Sequence, residues 1–257
     1  MKVDPRAVVD SSATLAEGVT VSPFAIVGAD VAIGPGPWIG PRGVIQGPTT
    51  IGANNRIYQF ASVGDDPQDK KYRGEHTRLE IGDGNVIREY ATLNRGTLQG
   101  GGVTRIGNEN WIMAYVHIAH DCIVGDHTTF ANGASLAGHV RVDDHAILGG
   151  FSLIHQFSHL GRYTFSGMGA VVSKDVPPFV RISGNPAEPR GLNTEGLKRA
   201  GFGEESLGRL RQAYRRVYRE GLTIEDAMEL LADLIDLDPE VAEFCRFVSE
   251  SRRGILR

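Results

Sequence analysis

Residues 19–64 read VTVSPFAIVGADVAIGPGPWIGPRGVIQGPTTIGANNRIYQFASVG. Every sixth position in this stretch is aliphatic: Val21, Val27, Ile33, Ile39, Ile45, Ile51, Ile57 and Val63. Working outward, the frame reaches back to Leu15 and Val9 and, past a polar interruption, resumes at Ile81, Ile87 and Leu93. Slipped by one residue, it continues as Ile106, Ile112, Ile118, Val124, Phe130, Leu136, Val142, Leu148, Ile154, Leu160, Ser166 and Val172, with Ser166 the only non-apolar member. A helix repeats every 3.6 residues and a strand every two, so neither gives six. A hexad is one side of a coil built from three short parallel strands, in which each turn stacks on the turn before. The aliphatic residues then line a narrow axis. Glycine often follows them, as in Val27-Gly28, Ile33-Gly34, Ile39-Gly40, Ile51-Gly52, Val63-Gly64 and Ile106-Gly107. Gly, Asn and Asp tolerate left-handed backbone, so the tight corners are expected to be theirs. A β-sandwich with regular turns would not hold one register from Val9 to Val172.

The coil is expected over residues 1–190 and a helical domain over 191–257. Two segments break the rhythm. Residues 65–78 (DDPQDKKYRGEHTR) are polar, and Val63 to Ile81 spans eighteen residues, as one full coil would. Residues 94–105 (NRGTLQGGGVTR) shift the frame by one. Loops of this size on a rigid scaffold often carry function. The coil should end near Val176-Pro177-Pro178, and Ser183 to Gly191 reads as a linker. Beyond it, Leu207, Leu210, Tyr214, Val217 and Tyr218 share a helical face stopped by Gly221. Thr223 starts a second helix, with Leu230, Leu231 and Leu234 facing in. Asp238-Pro239 starts a third, with Val241, Phe244, Cys245 and Val248 inside and Gly254 at its close. Some 65 residues of helix are marginal alone, so this part should pack on the coil or on other subunits.

Composition excludes several classes. No run approaches the roughly 18 apolar residues of a membrane span, and the start, MKVDPRAVVD, lacks a signal-peptide core. Cys122 and Cys245 fit no disulfide or metal framework, which points to a cytoplasmic location. A net charge of −4 gives no reason to expect nucleic acid. Charge is uneven, however. Lys198, Arg199, Arg209, Arg211, Arg215, Arg216 and Arg219 face only Glu204 and Glu205 in the segment 197–219. That is either a solvated helix face or a dock for an acidic macromolecule.

Histidines cluster in the second half of the coil: His117, His120, His139, His145 and His155, with His127 and His159 nearby. They could be corner residues, metal ligands or a general base with its substrate contacts. In HIAHDC (117–122), His120 stands directly before Asp121. Imidazole, with a reference pKa near 6.5, suits removal of a hydroxyl proton at neutral pH. Gly138 lies eighteen residues on, one coil above, where its N–H could hold an oxyanion beside the base.

These segments resemble the UDP-N-acetylglucosamine acyltransferase family of lipid A biosynthesis. The resemblance is carried by IYQFASVG (57–64), QDKKY (68–72), RGT and QGGG (95–97, 99–102), HIAHDC, LAGHV (136–140), HQF (155–157), DVPP (175–178) and GLNTEGLKR (191–199). It implies a left-handed parallel β-helix followed by a small C-terminal helical domain, assembled as a homotrimer with active sites between coils. It implies transfer of a 3-hydroxyacyl chain from acyl carrier protein to the 3-hydroxyl of UDP-N-acetylglucosamine, with no cofactor and no metal. His120 matches the general base, Asp121 its neighbour and Gly138 the oxyanion donor. His117, His139, His155 and Gln156 match positions near the sugar. Asp69 and Lys71 match substrate contacts, and Asn193, Glu195 and Arg199 match contacts on the nucleotide side. The basic helix, with Arg211, Arg215 and Arg216, would dock the carrier protein. Met168 matches the far end of the acyl groove, where a bulky residue would favour a chain of about ten carbons; its alternative is ordinary packing near the last coils. Two positions depart from the family: Ala200 follows Lys198-Arg199 where a second Arg is frequent, and Asn94 stands where His is common.

Alternatives remain open from sequence. The acceptor could be a 3-amino sugar. The related N-acyltransferase carries an added N-terminal domain, for which hexads beginning at Val9 leave no room. A hexapeptide-type zinc carbonic anhydrase would need a histidine spacing that His117/His120, His139/His145 and His155/His159 do not reproduce. A non-catalytic scaffold is the last.

Overall fold

The computed structural model describes residues 1–257. From Lys2 to Val172 the chain passes through strands of two to four residues that build three sheets. We call them faces A, B and C, in the order the chain meets them. Every pairing within the coil is parallel, and aliphatic stacks on aliphatic. On face A the partners run Val21, Ile39, Ile57, Ile87, Ile112, Phe130, Leu148 and Ser166. These side chains fill the axis; Ile39, Ile57 and Leu148 are 0% exposed. Each such burial contributes about 1.5–3 kcal/mol, and strand alternation sends the preceding residue outward. Val9 and Leu15, in the first coil, are only half-buried. Ser166 keeps its place because its hydroxyl pairs with Ser152 Oγ at 2.7 Å and accepts from Gly149 N at 3.0 Å, so its own polar group is not left unpaired in the axis.

The corners differ from the expectation. Of the glycines quoted after an aliphatic residue, only Gly64 has positive φ (80°). The others are needed for close stacking. A Cβ on Gly40 would lie 2.8 Å from Gln59 N, and one on Gly52 would lie 2.7 Å from Gly82 backbone. The left-handed corner position is instead filled largely by aromatic rings and histidines, among them Phe60, Tyr90, Tyr115, His127, His139, His145, Phe157 and Tyr163, with Asp30, Asn54 and Asp121 at others. Their rings stack from coil to coil, 4.4 Å apart for His139 on Phe157 and 4.9 Å for Tyr90 on Tyr115. Left-handed backbone costs roughly 1–2 kcal/mol per residue, and a stacked pair returns about 0.5–1.5 kcal/mol. Coil spacing and ring stacking are matched, so the two terms nearly cancel.

Both interruptions leave the same corner, between faces B and C, in successive coils. Val63 pairs with Ile45 and Leu93 on face B, and Ile81 with Ile51 and Ile106 on face C. The eighteen residues from Val63 to Ile81 are therefore no full coil, contrary to the count from sequence. They are one ordinary step of six plus twelve extra. From Leu93 to Ile106 the step carries seven extra residues, which include the 3₁₀ turn Leu98–Gly100. As expected, the first bulges without disturbing the stack.

The segment read as a linker is a hairpin. Val180–Ser183 extends face A in parallel from Phe165–Ser166, and Glu188–Leu192 pairs back antiparallel. Five helices follow: α1 (Thr194–Arg199), α2 (Glu204–Tyr218), α3 (Ile224–Glu229), α4 (Ala232–Leu237) and α5 (Pro239–Glu250). Helix α1 was not anticipated. The helix expected from Thr223 breaks in two, leaving Leu230 53% exposed rather than inside. The expected start of α5 holds, with Asp238 accepting from Glu240 N and Val241 N, but the helix stops at Glu250, short of Gly254. The helices share one continuous apolar core with the coil. Arg162 pairs with Glu243 at 2.5 Å, and Ser251 Oγ donates to Asp175 at 2.7 Å. No helix is long and apolar enough to cross a membrane.

Candidate active site

The B–C edge, one coil beyond the two insertions, carries the chemistry. His120, Gly138 and Gln156 occupy the same corner position in successive coils, and Asp121, His139 and Phe157 the next one. His139 N donates to His120 O, and Phe157 N to Gly138 O, which fixes the stack. Asp121 is in the left-handed region (φ 61°). Its carboxylate receives His120 Nδ1 at 2.8 Å on Oδ2, while Oδ1 accepts Thr97 N at 2.7 Å. Burial alone would raise the Asp121 pKa, but the hydrogen bonds from His120 and Thr97 prevail and hold it below the usual range. The carboxylate is ionised and can only accept, so His120 Nδ1 carries a proton, and in the neutral ring Nε2 presents a lone pair.

Gly138 meets this ring. A Cβ there would lie 2.5 Å from His120 Cε1 and 2.8 Å from Nε2. Any side chain would displace the imidazole. The Gly138 N–H has no acceptor within the chain. On the C–A edge the amide at this hexad position is capped by the next coil, as Asn108 N is by Asp126 and Asp126 N by Asp144, and at Pro23 and Pro41 proline removes it, whereas on the B–C edge the His120 and Gln156 amides are free as well. Gly138 has neither, and its donor stands free beside the lone pair of His120.

His117, outward on face B, bonds through Nδ1 to Thr92 Oγ1 at 2.7 Å. Burial, reinforced by His120, pushes its pKa below the ordinary value. His139 is also lowered, chiefly by burial and against the opposing pull of Asp121. Both imidazoles are neutral near pH 7. Asp69 and Lys71 stand close enough for their charges to act on His139. His155 is exposed, its Nδ1 donating to Gln156 O at 3.1 Å. His120, Asp121 and His139 offer ligand atoms within 4.8 Å of one another, but Thr97 and His120 already occupy both Asp121 oxygens. The set is a hydrogen-bonded dyad with a neighbouring imidazole rather than an open metal cage. Cys122 is fully buried, its thiol pushed up to about 12, which leaves it inert.

The remaining predicted residues lie on other edges. Asn193 caps α1 and donates to Tyr163 O at 3.0 Å, which places it with Glu195 and Arg199 at the C–A edge. Met168 is on the A–B edge and 81% exposed, so it does not pack within its own chain. Arg211, Arg215 and Arg216 lie on α2; Arg211 and Arg215 share a cleft with Arg181 and Arg190 of the hairpin.

Several residues that shape the site were missed. Asn94 Nδ2 donates to Asp66 O at 2.7 Å, and Arg95 binds Gly64 O at 2.6 Å, Tyr72 Oη at 3.1 Å and Asp66. These bonds pin the base of the first insertion, which presents Asp69 and Lys71. Asn94, the unexplained departure, is thus a loop anchor. Thr97 and Thr104, which grip Asp121, were also missed. The RGT motif contained part of this signal but not its partners.

A three-sided hexapeptide coil bearing a His–Asp dyad on one edge defines a hexapeptide-repeat transferase of left-handed β-helix form. A family model for bacterial transferase hexapeptides matches residues 104–138, and one for UDP-N-acetylglucosamine O-acyltransferase, domain 2, matches residues 175–256. The chain is 57% identical over 256 residues to an O-acyltransferase of Alkalilimnicola ehrlichii named for acyl carrier protein and UDP-N-acetylglucosamine, covering 100% of this chain and 99% of that one. The solved UDP-N-acetylglucosamine O-acyltransferase of Moraxella catarrhalis superposes with a TM-score of 0.97 at 43% identity, with 100% of each chain covered. The acyltransferase of Francisella novicida gives 0.96 at 42%, covering 99% of this chain and 94% of that one. The chain belongs to the UDP-N-acetylglucosamine O-acyltransferase family and is an enzyme.

Proposed function

We propose that this enzyme transfers a 3-hydroxyacyl chain from acyl carrier protein to the 3-hydroxyl of UDP-N-acetylglucosamine, as the first step of lipid A biosynthesis. The observation that carries the mechanism is the free Nε2 of His120, with Nδ1 held by Asp121 and the unpaired Gly138 N–H one coil above. Nε2 takes the proton of the sugar hydroxyl. The oxygen attacks the thioester carbonyl, and the Gly138 amide donates to the developing oxyanion. The tetrahedral centre collapses, the C–S bond breaks, and the imidazolium returns its proton to the departing thiolate. Neutral His117 and His139, with Asp69 and Lys71, hold the sugar. No covalent enzyme intermediate is required, since Cys122 points into the core.

The nucleotide side of the site is supplied by a neighbouring subunit. Asn193, Glu195 and Arg199 occupy a different edge from His120 in the same chain. A trimer also explains the exposed aromatic A–B edge, with Phe24, Phe60, Tyr90, Tyr115 and Phe151, against a face C that presents Glu80, Arg105 and Arg141. His120→Ala should lose about 10²–10⁴-fold in turnover with an unchanged melting temperature. Activity within threefold of the parent would remove His120 from the chemistry.

A further inference from the structure

We infer that Thr97 is a positioning residue for the dyad, fixing the Asp121 carboxylate and through it the ring of His120. This rests on the general-base reading above. Thr97 is 2% exposed and holds both carboxylate oxygens: its N–H donates to Oδ1 at 2.7 Å and its hydroxyl to Oδ2 at 2.6 Å. Oδ2 is the same atom that receives His120 Nδ1. Beyond Thr97 the loop closes tightly. Gly100 N donates to Thr97 Oγ1 at 3.2 Å, and a Cβ on Gly100 would come within 2.0 Å of Asp121 Cγ. At the loop's exit, Thr104 Oγ1 accepts the Asp121 backbone N–H at 2.8 Å. The second insertion thus grips one acidic residue at side chain and backbone, and that residue's remaining bond runs to the base.

Two effects follow from the shared oxygen. The hydroxyl locks the carboxylate plane and so aims the imidazole. It also draws density from Oδ2 and weakens that atom's hold on the Nδ1 proton. Removing the hydroxyl makes Asp121 the stronger acceptor, which tightens its bond to His120 Nδ1 and favours the charged ring. The other ionisable groups that face His120 are His117 and His139, with Asp69 and Lys71 behind His139. None of them touches Thr97.

The test compares Thr97→Val, Thr97→Ser and His120→Ala by kcat, KM for the sugar nucleotide and the pH dependence of kcat/KM. Thr97→Val should lose about 10- to 100-fold in kcat with KM within about twofold. Its acid limb should move to higher pH, and Thr97→Ser should restore both. The Nδ1–H proton resonance of His120 reads the same bond without turnover and should move downfield in Thr97→Val. If His120→Ala is inactive while the valine variant keeps the parent pH profile and resonance, Thr97 has no positioning role. A loss of activity with an unmoved acid limb, or one that serine does not restore, overturns it equally and leaves Thr97 a structural residue. If His120→Ala remains active, the general-base reading itself is what has failed.

Discussion

Single residues on this scaffold act through their edge and coil number more than through their sequence neighbours. Met168 shows it. Its side chain stands free on the A–B edge, where a trimer would bring it against another subunit's acyl groove. A bulky side chain there would close such a groove, and each excluded methylene would forfeit about 0.8 kcal/mol of burial. If Met168 sets the acyl length, Met168→Gly should shift preference towards chains about four carbons longer than the parent prefers, with little change in melting temperature. Competition between short and long acyl-carrier-protein donors measures it; an unchanged product ratio places the ruler elsewhere. At this scale the sequence was legible where chemistry and an eighteen-residue offset coincide, as at His120 and Gly138. It was silent on Thr97, Asn94 and Arg95, because their partners Asp121, Asp66 and Tyr72 are set by how the loops fold back. It found only part of the corners, such as Asp30, Asn54, Asp121, Gly18 and Gly36, because an aromatic residue gives no local sign of left-handed backbone. That conformation is sustained by a ring one coil away, eighteen positions on from His139 to Phe157 but twenty-five from Tyr90 to Tyr115.

Among elements, the basic helix α2 is the clearest candidate for recognition. Its buried face is the one read from periodicity, with Leu207, Leu210, Tyr214 and Val217 inside. Its charge is more balanced than the sequence count implied. Glu220, just past the counted window, pairs with Arg216 at 2.5 Å and Arg215 at 3.6 Å, and Arg211 lies 3.8 Å from Glu204. The Arg215 side chain is still 70% exposed, and Arg181 and Arg190 extend the basic surface. Changing Arg211, Arg215 and Arg216 to Glu should raise KM for the carrier thioester far more than KM for the sugar nucleotide. The difference should shrink with salt, which screens such contacts beyond about 10 Å at 0.1 M. Equal effects on both substrates would mark α2 as structural. The short helices were the least legible elements. Helix α1 has a single buried residue, Leu197, too few for a period, and the α3–α4 break depends on tertiary packing that a continuous leucine pattern hides.

For the molecule as a whole, the separation of His120 from Asn193, Glu195 and Arg199 within one chain means that, under the proposed function, catalysis would be a property of the assembly. Mixing His120→Ala chains with Arg199→Ala chains should recover activity, because about one quarter of the interfaces in randomly mixed trimers would pair an intact His120 with an intact Arg199. Two inactive variants that stay inactive after subunit exchange would place the whole site within one chain. The two insertions on the B–C edge carry a last consequence. A coil keeps time in steps of six, and a residue added inside a strand would turn every later side chain from axis to solvent. Residues added at a corner do not advance that clock, because the next strand starts wherever the loop lets it down onto the stack. Twelve and seven have been admitted here without a change of phase. The edge that carries His120 is therefore also the edge where the chain has taken loops of two different lengths with the scaffold left as it is.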